Sequence, residues 1–304
     1  MLKRIIAAAV IFYGGIIAGC GGGSGGAPGA TVSGIVADGY LRGAEVFMDK
    51  NGNYQLDAGE PKTTTGIGGV YHMTVSAADA AKYPVMARVI AGTTVDEDTK
   101  VPVASGYVMS APPGAAGFIS PMSTLIREKM AANPGMTLTD AMTQLRNQMN
   151  LPVGIDMMAD YVAGSQPGSP NVPQYQTMHA TARQMAGLMA GQALLVMNNG
   201  SAVDMNRYRS MMGTINSNMP SITDNAVNGL GMDSSFMTSM RNQMVTTIQN
   251  MPIGSGFMNY SGMFRNMTSH SAFWNYTGNR WQPGGTMGSG GMMGKLRTIA
   301  KPLL

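Results

Sequence analysis

The densest group of oxygen-bearing side chains in this sequence lies between Asp49 and Glu60. There D-K-N-G-N-Y-Q-L-D-A-G-E sets Asp49, Asn51, Asn53, Asp57 and Glu60 at loop positions 1, 3, 5, 9 and 12. A hard cation such as calcium takes six or more oxygen ligands, and this spacing supplies them. Asp49, Asn51, Asn53 and Asp57 offer side-chain oxygens directly or through water, Gln55 offers its backbone carbonyl, and Glu60 can close the site with both carboxylate oxygens. With three carboxylates and two neutral amides the attraction is modest, in the roughly 0.1 to 1 mM range of extracellular modules. Such a site fills only outside the cytosol. The plainer alternative is a solvated acidic turn.

Two departures from the helical form of this loop are informative. Position 6, where the turn favours glycine, holds Tyr54, and the glycine stands two places earlier as Gly52, so Tyr54 is expected to carry backbone strain. The flanks A-E-V-F-M at Ala44–Met48 and G-V-Y-H-M-T-V at Gly69–Val75 are rich in β-formers and close to alternation, which predicts a loop joining strands rather than helices.

Other chemistry is sparse. Asp96, Glu97 and Asp98 form the one dense acidic run; paired carboxylates can do acid/base work or take a second cation, but a solvated loop is the better reading. His72 has no Cys or His at ligand spacing and reads as structural. The sequence contains no H-E-x-x-H, no C-x-x-C and no P-loop lysine, and its G-x-S-x-G and G-x-G-x-x-G matches fall inside a glycine run with no strand before or helix after. A non-enzymatic protein is expected.

Methionine is the remaining candidate donor, 31 of 304 residues, 26 of them at or after Met122. Thioether sulfur binds Cu(I) outside the cell. Met237, Met240 and Met244 share one helical face, Met211 and Met212 are adjacent, and Met258, Met263 and Met267 precede His270. Stripes of this kind are more often adaptable core. Met287, Met292 and Met293, set among glycines where no core can claim them, give copper its best foothold. Surface methionines could equally act as an oxidant sink.

The elements that must position these groups begin after an export signal. Residues 1–19 carry Lys3 and Arg4, then an apolar run from Ile5 to Ile17 too short to span a bilayer, then small residues ending at Cys20. Ile17-Ala18-Gly19-Cys20 resembles the bacterial lipobox, which implies cleavage before Cys20 and acylation of its thiol. Cys20 is the only cysteine, so no internal disulfide can form. Several acyl chains exceed the threshold for stable membrane attachment. Gly21 following the cysteine favours the outer membrane or cell surface. Residues 20–30 then read as a lipidated cysteine and flexible glycine-rich tether.

From 31 to 121 acidic residues outnumber basic ones, and from 122 onwards the balance reverses. Strands are expected over Thr31–Ala37, Ala44–Met48, Gly69–Val75, Val85–Ala91 and Ser105–Ser110, at the short intervals of a β-sandwich. Pro121 marks the junction where extended structure gives way to helix. Residues 122–284 read as a Met-rich helical domain, with helices from Thr139–Asp140 to Met149, Gln174 to Asn198, Ser201 or Asp204 towards Met219, and Met232 to Asn250; residues 285–304 read as a Gly/Met-rich, basic tail. The fold class predicted is a small antiparallel β-sandwich followed by a mainly α-helical domain.

Within Thr31–Leu125 the strand, the D-x-N-x-N-x-x-x-D-A-G-E-P loop and the T-T-T turn resemble the calcium-stabilised, immunoglobulin-like B-repeats of bacterial surface proteins and carboxypeptidase-regulatory-like modules. V-S-G-I-V-A-D-G-Y-L-R-G-A-E-V at Val32–Val46 and the later A-P-P-G…I-S-P-M-S-T-L at Ala111–Leu125 are similar to N-terminal modules of bacterial surface lipoproteins. The resemblance implies modules that bind or hold rather than catalyse. The aromatic stretch Phe273-Trp274-Asn275-Tyr276 with Trp281 suits a glycan or protein partner at the cell surface, and Lys295, Arg297 and Lys301 could touch anionic lipid but are too few for nucleic acid. The expected protein is lipid-anchored and non-enzymatic with a calcium-stabilised binding or structural role; the alternative is a Met-rich copper-binding protein of the periplasm or surface.

Overall fold

The computed structural model describes residues 29–198 and 202–251. The expectations placed on the leader, Cys20, the Met258–His270 group, the aromatic stretch, the basic end, and Met287, Met292 and Met293 lie outside them. In chain order the strand-rich part comprises β1 (Gly29–Val36), β2 (Leu41–Arg42), β3 (Glu45–Met48), β4 (Lys62–Thr64), β5 (Val70–Ser76), a short helix α1 (Ala77–Lys82), β6 (Val85–Val89), β7 (Val95–Asp96), β8 (Val101–Pro102), β9 (Tyr107–Ala111) and β10 (Phe118–Ile119). The helical part comprises α2 (Pro121–Ala132), α3 (Leu138–Gln148), α4 (Tyr161–Gly164), α5 (Val172–Gly191), α6 (Ala193–Val196), the short strands β11 (Met197–Asn198) and β12 (Ala202–Val203), then α7 (Met205–Ser217), α8 (Met219–Val227) and α9 (Ser235–Gln249). The chain is therefore mixed α and β, with several small sheets.

Strand order is β10-β1-β5 in one sheet, β4-β3-β6-β9 in a second and β2-β7-β8 in a third. Pairing is antiparallel except between β1 and β10, which run parallel through Ile35↔Phe118 and Val36↔Ile119. Alternation is plainest in β5, where Tyr71, Met73 and Val75 are buried and Val70, His72 and Thr74 face out. β9 is buried along its whole length and packs against α2. The five expected strands are present within a few residues of their expected ends. Thr63 and Thr64, expected as a turn, instead lie in β4, pairing Val46↔Thr63 and Glu45↔Thr64; β-branched threonines suit a strand edge as well as a turn. The short helix α1 was not expected from the sequence.

The junction at Pro121 is where helix begins. Ser120 caps α2: its side chain accepts the Ser123 backbone N–H, while the Ser123 hydroxyl accepts the Ser120 N–H in return. Pro121 fits the first turn, where its missing N–H has no partner to lose. A single contiguous apolar core runs across this junction, from Ala30 to Ile248. Two tyrosines tie helices to strands through it: Tyr161 donates to the Ala37 carbonyl and Tyr208 to the Val108 carbonyl, both at 2.8 Å.

The long helix predicted from Gln174 to Asn198 is shorter. α5 ends at Gly191, Gln192 leaves helical geometry at φ −105° and ψ 4°, and Met197–Asn198 pair with Ala202–Val203 instead. Glycine is a weak helix former, and Gly191 is the last residue the helix holds before the break at Gln192. Met178, Ala182, Met185 and Met189, spaced three or four residues apart, form its buried face, as a helical period dictates. Asp204 caps α7 by accepting from the N–H groups of Asn206 and Arg207. The helix stops at Ser217, short of the expected Met219, because a new helix, α8, starts there with Pro220 in its first turn.

Candidate functional site: the Asp49–Glu60 loop and its support

The loop connects β3 to β4, so it joins antiparallel strands as the flanking pattern predicts. Asp49 is fully buried. Its Oδ1 accepts the Gly52 and Asn53 N–H groups at 2.7 and 3.2 Å, and its Oδ2 accepts the Tyr54 N–H at 3.0 Å. Asn51 and Asn53 each turn the chain by accepting the N–H two residues on, from Asn53 at 3.1 Å and Gln55 at 2.8 Å. Their amide nitrogens both donate to Asp57 Oδ2, at 2.6 and 2.7 Å. Glu60 closes the ring: one oxygen accepts the Lys50 N–H at 2.7 Å and the other the Asp57 N–H at 3.0 Å.

All five side chains chosen by spacing therefore belong to one hydrogen-bonded ring, and Gln55 lies within it. The donor set suits a hard cation, being oxygen throughout, and a carboxylate oxygen that accepts one hydrogen bond keeps a second lone pair. Among the described residues no three carboxylate, imidazole or thiol groups stand close enough to hold a metal by themselves. At this loop the two amides stand against Asp57, and an ion would have to turn their oxygens inward.

Tyr54 has φ +65°, the left-handed region that a bulky residue rarely enters. The expected strain is present, and beside the Asp49 carboxylate on its N–H the residue is held from outside the loop. Tyr54 is 1% exposed. Its hydroxyl donates to Glu128 Oε1 at 2.7 Å, its ring lies 4.3 Å from the Arg127 guanidinium, and it packs 4.9 Å from the Tyr208 ring. Glu128 also holds Arg127 at 2.8 Å and faces Arg209 at 3.9 Å. Arg127, Glu128 and Lys129 are all buried in α2. Spacing gave no hint of this group, because three consecutive charged residues in a helix ordinarily face water. Burial pushes the Lys129 amine down to about 8, and among the described residues no carboxylate pairs with it.

The acidic run is less solvated than expected. Glu97 accepts the Gly68 N–H with both oxygens, at 3.1 and 3.0 Å, and faces Arg42; Asp96 caps its own turn by accepting from the Asp98 N–H. Asp98 pairs with His179 of α5 at 2.9 Å, and that ring stacks on Tyr161. Beside them stands Asp38, which the sequence reading passed over. Tyr107 donates to its Oδ2 at 2.6 Å while Oδ1 is cut off from water and has no hydrogen-bond partner. Burial raises the Asp38 carboxyl to about 7, the Tyr107 hydrogen bond pulling the other way and the Asp96 charge adding to the rise. His72 bonds Ser33 across β1 and β5 at 2.8 Å, consistent with a structural role.

The described methionines that raised copper, Met211, Met212, Met237, Met240 and Met244, are all buried in the core. No helix of the described residues is long and apolar enough to cross a membrane. Comparison with family models, with curated proteins and with solved structures returned no match.

Proposed function

We propose that the chain is an exported protein, anchored through an acylated Cys20, with a non-enzymatic binding or structural role in which Asp49, Asn51, Asn53, Gln55, Asp57 and Glu60 hold calcium. The strand-rich part is read as the β-sandwich module of such surface proteins, the helical part as what it presents to a protein or glycan partner. The observation that carries the reading is the closure of the loop. Glu60 accepts from both the Lys50 and Asp57 N–H groups, and Asn51 and Asn53 both donate to Asp57, so the oxygen-bearing side chains of the loop are tied into one network between two strands.

Calcium at about five times its dissociation constant would stabilise the fold by about 1 kcal/mol. Chelation should therefore lower the melting temperature of the full chain by a few degrees. Glu60→Gln, which keeps an acceptor for the Lys50 N–H while removing a ligand charge, should abolish that sensitivity. Equilibrium dialysis showing no divalent ion retained would overturn the calcium reading, and an intact, unacylated amino-terminal peptide in the mass spectrum of membrane-associated protein would overturn the anchor. Copper has no support among the described methionines, and its test is an anaerobic Cu(I) titration of the Met287, Met292 and Met293 variants.

A further inference from the structure

We infer that the Asp49–Glu60 loop and the packing of α2 against α7 form one coupled unit linked by Tyr54, so that an ion fixing the loop also tightens the helices. The inference rests on reading the loop as a cation site. Two independent holds meet on this residue. From the loop, the buried Asp49 carboxylate takes the Tyr54 N–H at 3.0 Å. From the helices, Glu128 of α2 takes the hydroxyl at 2.7 Å, Arg127 of α2 covers the ring at 4.3 Å, and Tyr208 of α7 packs against it at 4.9 Å, with Arg209 Nε 3.5 Å from the phenol oxygen.

A non-glycine residue at φ +65° persists only where its surroundings over-determine it. Releasing either hold lets Tyr54 return to ordinary backbone geometry, and that rotation carries the ring away from the other hold. Charge follows the same route. Burial opposes the Arg127 charge, yet Tyr54, Glu128, Tyr208 and Asp49 together keep the guanidinium above its ordinary basicity, so the first ligand of the loop also acts on the helix cluster. Coupling of this kind is reciprocal: a tighter helix pair raises ion affinity by the same factor by which the ion tightens the pair.

Hydrogen exchange on the full chain, in millimolar calcium chloride and in chelator, tests this. In the wild type, calcium is expected to slow exchange within residues 49–60 and also within α2 and α7, each by roughly fivefold or more. In Tyr54→Gly, which accepts the positive φ without the ring, the slowing should be confined to the loop. If calcium protects the loop alone in the wild type, the coupling is wrong and the cation site stands. If it protects neither, both fall. Helix protection that survives in Tyr54→Gly shows that the link runs elsewhere and overturns the role given to Tyr54. Should that variant fail to fold, Tyr54→Phe decides: it keeps the ring and loses the bond to Glu128, and helix protection equal to the wild type overturns the link through that bond.

Discussion

Replacing Asp38 by asparagine should make the protein more stable at pH 8 and change it little at low pH. The Asp38 carboxyl is raised from 3.8 to about 7, chiefly by burial. One pKa unit corresponds to about 1.4 kcal/mol, so the folded state holds this proton more tightly than the unfolded chain by about 4 kcal/mol. A raised folded value means that the contribution is fully present below about pH 4 and is lost as pH climbs to about 7. Above that, the folded protein keeps an ionised carboxylate whose Oδ1 has no donor and which faces Asp96. Asparagine keeps an oxygen for the Tyr107 hydroxyl, removes the charge and offers an N–H₂ toward the acidic side. Urea denaturation of both proteins at pH 4 and pH 8 measures the difference. The gain of Asp38→Asn over the wild type should grow across that interval by about 4 kcal/mol at most, less whatever the new amide leaves unpaired. A gain equal at both pH values, or a wild type that becomes more stable between pH 4 and pH 8 relative to the variant, would refute the assignment of a buried, proton-holding carboxyl to this turn.

Two further substitutions probe α2. Lys129→Met should stabilise at pH 7 by about 3 kcal/mol, because burial lowers the amine from 10.5 to about 8 and each unit is about 1.4 kcal/mol. A depressed folded value means the contribution is present at high pH and lost as pH falls through 8, so the advantage of methionine should shrink by pH 11; urea midpoints at the two pH values check this. Glu128→Gln should destabilise by about 3 to 5 kcal/mol, since it leaves the buried Arg127 and the half-buried Arg209 beside a neutral partner; thermal denaturation reads it, and a loss below about 1 kcal/mol would mean that solvent screens the cluster.

Local features were legible in the sequence. The loop spacing, the strand flanks, the proline that opens α2 and the methionine face of α5 each follow from contacts within a dozen residues, where periodicity and turn chemistry act. The strain at Tyr54 could also be read, from a missing glycine. What could not be read was long-range: Glu128 lies 74 residues from the tyrosine it accepts from, and Arg209 lies 155 residues away. No local pattern distinguishes a buried Arg-Glu-Lys run from a solvated one. Asp38 was hidden for the same reason, because A-D-G-Y reads as an ordinary turn and its burial depends on Tyr107. α8 was missed because Met219-Pro220 looks like a helix end and is instead a beginning.

The shared core across Pro121 limits how this chain can be recombined. With β9 covered by α2 and Val108 held by Tyr208 a hundred residues later, the strands cannot be cut out and grafted elsewhere as a free-standing cassette. A gene fusion that ended at residue 121 would carry the Asp49–Glu60 loop without the helices against which its tyrosine is seated, and the exposed face of β9 would seek a substitute in neighbouring copies of itself.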